Sequence, residues 1–128
     1  MLIKEGSEKG RLVLQKLFEV RDQVHYIHLQ TTSFAAHKAL NEFYDGILDL
    51  TDSFIETYQG TYGRIKGKLA PNIESDIDAM KYIQSIRPLF AKDGLVRKSY
   101  SPDDTHLANI ADEMLSLVDK TLYLLTLS

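Results

Sequence analysis

Few residue types in this chain can do inner-sphere chemistry. There is no cysteine, and four histidines stand beside 18 aspartates and glutamates. Without thiolates neither a disulfide nor a sulfur-ligated metal can form, so any metal must be held by imidazole and carboxylate. Asp52 and Glu56 stand one helical turn apart and can point at the same ion. At about 100° per residue, Phe34, His37, Asn41, Tyr44, Leu48, Asp52 and Ile55 share one side of a helix, with Glu56 at its margin. The expectation is a core-facing apolar stripe interrupted by polar groups. A carboxylate on such a stripe needs a partner, a hydrogen bond or a metal.

Asp52 lies roughly 22 Å from His37 along one helix, too far for a shared ion within one chain. Two copies of this helix packed antiparallel, about a two-fold axis near residue 45 or 46, bring His37 of one copy to Asp52 of the other. Gly46 is expected to permit close approach at that crossing. His28, at the end of the preceding helix, should fold back beside His37. The expected site thus takes two histidines from one subunit and two carboxylates from its mate. Asn41, one turn beyond His37 on the same face, should approach a second ion. His25 is expected to serve packing, with an outer-ligand role as the alternative, His106 to be exposed, and Glu42, Asp45 and Asp49 to form a solvated side, from which Asp45 could enter a relaxed site.

Four helices must position these groups. The first, with Ser7 as its cap, carries Leu12, Leu14, Leu17, Phe18, Val20, Val24, Ile27 and Leu29 at mostly helical spacing and runs to about Gln30. Thr31, Thr32 and Ser33 are alternative caps of the second, which begins near Phe34, shows Phe34, Leu40, Phe43, Tyr44, Ile47, Leu48, Ile55 and Tyr58, and stops at Gly60. So short a link makes the first two helices antiparallel neighbours. Residues 60–71, with three glycines and the basic Arg64, Lys66 and Lys68, read as a loop crossing from one helical hairpin to the other. Tyr58 and Tyr62 beside those bases are weighed as a nucleic-acid contact, but a polar loop is the preferred reading. Asn72 or Ser75 should cap the third helix, with Ile77, Met80, Ile83 and Ile86, which Pro88 ends or kinks. Ser101, Pro102, Asp103 and Asp104 supply a cap, a first-position proline and two acids at the positive end of the fourth. It carries Leu107, Ile110, Met114, Leu117, Val118, Leu122 and Leu125.

The chain of 128 residues is long enough for one core, so a single domain over 1–128 is expected. Hydrophobic residues at 44% and charged residues at 26% are the balance of a folded globular protein rather than a disordered one. A formal charge of -3 argues against a dominant nucleic-acid footprint. No apolar run reaches the roughly 18 residues of a spanning helix, and the start has no signal-peptide stretch, so the expectation is a cytoplasmic protein without membrane contact.

The run His28-Leu29-Gln30 to Phe34-Ala35-Ala36-His37-Lys38-Ala39-Leu40, followed by Phe43-Tyr44-Asp45, Asp52 and Glu56, resembles the Dps-like mini-ferritins. The closing Asp119-Lys120-Thr121-Leu122-Tyr123-Leu124-Leu125 is similar to that family's last helix. The resemblance implies an all-α, ferritin-like antiparallel four-helix bundle with a crossover between helices two and three. It implies iron, ferrous and ferric, as substrate at a dimer-interface ferroxidase site of His28, His37, Asn41, Asp52 and Glu56, with other divalent metals also compatible. It further implies oxidation by peroxide or dioxygen, and a homodimer within a hollow shell of usually twelve subunits. Asn41 stands where the family has an acid, and an amide is the weaker ligand. The tryptophan common after the first histidine is missing, and the first connection and the crossover loop are shorter. The alternative is therefore a non-enzymatic helical assembly protein with a degenerate metal site. DNA binding is not carried over, because the first ten residues offer only Lys4 and Lys9, balanced by Glu5 and Glu8.

Overall fold

A computed structural model describes residues 8–128, so the expected Ser7 cap lies outside the described residues. The architecture is all-α: α1 (Glu8–Gln30), α2 (Phe34–Tyr62), α3 (Ala79–Phe90), a 3-10 turn at Arg97–Ser99 and α4 (Thr105–Leu125), with no strand among the described residues. Helix α2 packs against both α1 and α4, and α3 packs against α4. None of these helices is long and apolar enough to cross a membrane.

Val13, Leu17, Val20, Val24 and Ile27 recur every three or four residues and bury one stripe of α1 in the core. Gly10 begins that stripe because Tyr58 of α2 fills its place: a Cβ there would lie 2.6 Å from the phenol ring. Ser33 caps α2, its hydroxyl accepting from the Ala36 N–H at 3.1 Å. The buried side of α2 is Ala36, Ala39, Leu40, Phe43, Ile47, Thr51, Phe54, Ile55 and Tyr58. This corrects the expected core-facing stripe, of which only Ile55 is buried; Phe34 is 78% exposed, and Asn41 and Asp52 are also exposed. That stripe is an outward flank of α2, where the polar groups keep their water and need no compensating partner. Gly46 likewise serves the chain's own packing: a Cβ there would meet Leu117 of α4 at 2.8 Å.

Three boundaries differ from expectation. Helix α2 passes through Gly60 and ends where Gly63, at φ 96°, donates its N–H to Gln59 O. Helix α3 is capped by Asp78, whose carboxylate accepts from Lys81 N at 3.0 Å, and it carries Pro88 in its last turn without breaking before Phe90. Helix α4 starts at Thr105, because Ser101 closes a turn, accepting from Asp104 N with its carbonyl and from Asp103 N with its hydroxyl. Asp104 spends its carboxylate on the Tyr62 hydroxyl rather than on capping.

Asn72 and Ser75 start no helix because the chain there is held extended against α1. Arg11 Nη1 donates to Lys68 O at 3.0 Å. Gln15 accepts from Ala70 N at 2.9 Å, and Glu19 from Asn72 N at 2.8 Å. Gln23 closes the series with both amide atoms, accepting from Glu74 N at 2.7 Å and donating to Glu74 O at 2.9 Å. The register fits: four helical residues rise about 6 Å and two extended residues about 6.6 Å. An i, i+4 row of polar side chains therefore meets every second peptide of residues 68–74.

Candidate functional site

The end of α1 and the start of α2 bring His28 and His37 face to face, with ring centroids 3.9 Å apart and planes 23° from parallel. His28 Nδ1–H donates to the carbonyl of His37, and His37 Nδ1–H donates to the carbonyl of His28, each at 2.9 Å. A carbonyl only accepts, so both rings must carry a proton on Nδ1. In the neutral form this fixes both tautomers and leaves each Nε2 with its lone pair, the state in which imidazole ligates a metal. The local reason is the tight link. Residues 31–33 reverse the chain, Thr31 N–H bonds Ile27 O, and the carbonyl of His28, in the last turn of α1, has no helical donor beyond it.

His25, one turn earlier, is exposed and lays its ring against Tyr44 at 4.5 Å between centroids. Its ring centroid is 6.0 Å from that of His28, so a row of rings runs along the seam between α1 and α2. Arg21 continues this surface in a bidentate contact with Asp22 at 2.8 and 3.2 Å. Hydrogen bonding to Asp22 raises the Arg21 guanidinium above its ordinary range, and the fields of Tyr44 and Asp52 add to it.

The five expected site residues divide into two groups. His28 and His37 meet, both half-buried, with Asn41 exposed one turn further along α2. Asp52 and Glu56 are exposed on the distant half of the same helix. Among the described residues no three His, Asp or Glu side chains converge in a metal-holding group. What the arrangement of one chain provides is two stacked imidazoles, each with Nδ1 engaged, and, well apart from them, a pair of solvated carboxylates on the same flank. His106 is exposed, as expected.

Sequence reasoning placed the two histidines together but missed how they lock, since nothing in their spacing reveals main-chain acceptors. The row Arg11, Gln15, Glu19 and Gln23 was passed over, although its four-residue repeat of hydrogen-bonding groups along α1 is the one sequence signal of a segment lying against it.

Comparison with known proteins gives one match: residues 28–125 fit DUF5856, a family of unknown function. No curated protein and no solved structure matches the chain. The matched stretch opens at His28 and takes in α2, α3 and α4, most of the molecule, and the chain belongs to the DUF5856 family.

Proposed function

We propose that this protein is a Dps-like mini-ferritin subunit that binds and oxidises ferrous iron between two copies of itself. His28 and His37 come from one copy, and Asp52 and Glu56 from the other. The single observation that carries the reading is the reciprocal lock of His28 and His37, which fixes both rings with Nε2 as the ligating atom. Imidazole and carboxylate together suit iron. The outward flank of α2 also favours an antiparallel pair, because exposed Phe34 and half-buried Tyr44 and Leu48 give it apolar surface between the polar groups.

The ferritin-like arrangement is part of the same proposal. Residues 68–74 run along α1 in its own direction. Such a segment carries the chain back to the end where α2 began, so α2 and α3 point the same way, as a crossover requires. A shell of such dimers would enclose the oxidised iron. The reaction balances as two ferrous ions each giving one electron to one hydrogen peroxide; the O–O bond breaks, two protons are taken up and two waters leave. The chain's own residues bind the ions, and in the neutral rings the fixed tautomers leave the Nε2 lone pairs to do so.

One observation favours the second reading, a non-enzymatic assembly protein: the ligand position one turn from His37 is the neutral, exposed amide of Asn41. Mixing two inactive variants separates the readings. His37→Ala and Asp52→Ala should each lose ferrous binding measured anaerobically by calorimetry. Their equimolar mixture, after dissociation and reassociation, should regain about a quarter of the wild-type sites, those built from one intact half of each copy. A strict monomer by light scattering, or a mixture no better than either variant, overturns the shared site. Binding without peroxide-dependent ferric absorbance selects the assembly protein.

A further inference from the structure

Tyr82 of α3 faces the place where α1, α3 and the extended residues 68–74 meet. Its hydroxyl oxygen is buried and has no hydrogen-bond partner among the described residues. Burial, and after it the carboxylates of Glu19 and Glu74, pushes this phenol well above the ordinary tyrosine range. Tyr82 is thus a protonated donor at neutral pH with nothing to donate to. Beside it runs a solvent-open cleft of about 380 Å³, whose walls include Glu19 and Gln23 of α1, Lys81 and Ser85 of α3, and Asn72 and Glu74 of the extended segment.

The wall made by Asn72 and Glu74 stands only while the rungs to Glu19 and Gln23 are made. The rungs of Gln15 and Glu19 lie at the surface, where water serves their polar groups almost as well, whereas Gln23 is buried and makes two bonds to Glu74. Residues 70–76 are all exposed, and the only apolar anchors of the segment are partial, half-buried Leu69 and Ile73 at 42% exposure. Residues in left-handed backbone conformations flank the segment on both sides: Gly63 at φ 96° and Gly67 at φ 107° before it, Asp76 at φ 58° after it. Closing dehydrates an unpartnered hydroxyl, and opening returns water to it.

We propose that residues 68–74 are a gate over the Tyr82 cleft, latched to α1 by Gln15, Glu19 and Gln23 and biased towards opening by the unpartnered Tyr82 hydroxyl. The gate moves as a unit between these flanking residues while the helices stay folded. Its opening admits water or a small molecule bearing an acceptor oxygen for the phenol.

Amide hydrogen exchange, read residue by residue by NMR on the full chain, tests the gate. In the wild type, Ala70, Asn72 and Glu74 should be protected, yet exchange much faster than the core amides of Val20 and Leu40. Gln23→Ala should speed Asn72 and Glu74 about tenfold and leave the core amides unchanged. Tyr82→Phe should act the opposite way, slowing the three segment amides about tenfold because the closed state no longer strands a donor. Segment amides that are unprotected, that exchange at the core rate, or that ignore Tyr82→Phe overturn the gate. So does a Tyr82→Phe effect shared equally by Val20 and Leu40, which would mark Tyr82 as a matter of global stability.

Discussion

His28 and His37 each hold the other's main chain: both Nδ1–H groups reach across the turn to the opposite carbonyl at 2.9 Å, with the rings stacked between them. The pair is therefore a structural clamp on the link between α1 and α2 before it is anything else. Replacing either histidine by Ala should lower stability by about 1–2 kcal/mol, and the double variant should show a coupling of about 1 kcal/mol in urea unfolding. Nitrogen NMR shifts of both rings should report protonated Nδ1 and unprotonated Nε2 in the neutral form. Additive single-variant losses would show that the two rings do not act as one clamp.

Two glycines should respond unequally to the same methyl group. At Gly94 a Cβ would fall 2.1 Å from Pro88 O and 2.7 Å from Leu89 O, main-chain atoms fixed by the end of α3. Gly94→Ala should cost about 2–3 kcal/mol, seen as a lower melting temperature. At Gly46 the obstacle is the end of the Leu117 side chain, which can rotate away, and alanine regains about 1 kcal/mol of helix propensity. Gly46→Ala should therefore change the melting temperature little.

Tyr62 ties the end of α2 to the start of α4. Its hydroxyl donates to the Asp104 carboxylate and accepts from Ser101 N at 2.9 Å. Tyr62→Phe should cost about 1–2 kcal/mol and speed amide exchange in the first turn of α4. Burial first, and then the hydrogen bond to Asp104, raises the Tyr62 phenol above its ordinary range. A raised folded value gives stability that is complete below the unfolded value and lost as the pH climbs through the folded one. Alkaline melting curves should therefore be flatter in Tyr62→Phe than in the wild type.

Arg87 and Asp119 join α3 to α4 through two contacts, at 2.7 and 3.1 Å. The hydrogen bond from Arg87, more than its charge, holds the Asp119 carboxyl below its ordinary range. A depressed folded value gives stability that is present above the unfolded value and lost as the pH falls through the folded one. Both side chains are exposed, so the effect should be small and should shrink with added salt. Carboxyl NMR titration should find Asp119 ionised below the usual aspartate range in the wild type, and back near that range in Arg87→Ala.

The helices and their order were legible because heptad-like spacing and capping residues are local properties. Leu17, Val20, Val24 and Ile27, named from their spacing, do line the buried stripe of α1, whereas Leu12 and Leu29 are exposed and Val13, which the spacing left unnamed, is buried; Ser33 is the cap used among the three offered. The pairing of His28 with His37 was legible too, since so short a link leaves two antiparallel helices no other way to lie. The facing of α2 was not. Sequence spacing defines two candidate stripes on that helix, and the choice rests on what α1 and α4 present to it: Leu117 claims Gly46, while Tyr58 claims Gly10.

Residues 68–74 show the limit most clearly. Asn72 and Ser75 have the side chains of helix caps, and local propensity alone would start a helix from either. Tertiary contact decided otherwise, because Arg11, Gln15, Glu19 and Gln23, some 50 positions earlier in the chain, bond every second peptide of residues 68–74, a match in rise that extended backbone makes and a helix does not. What the sequence by itself determined was where helices form and which residues could carry chemistry. Which side of each helix is buried, which caps are used and which hydroxyl is left without a partner were set by the tertiary structure, since each depends on atoms that only packing brings within hydrogen-bond or van der Waals reach.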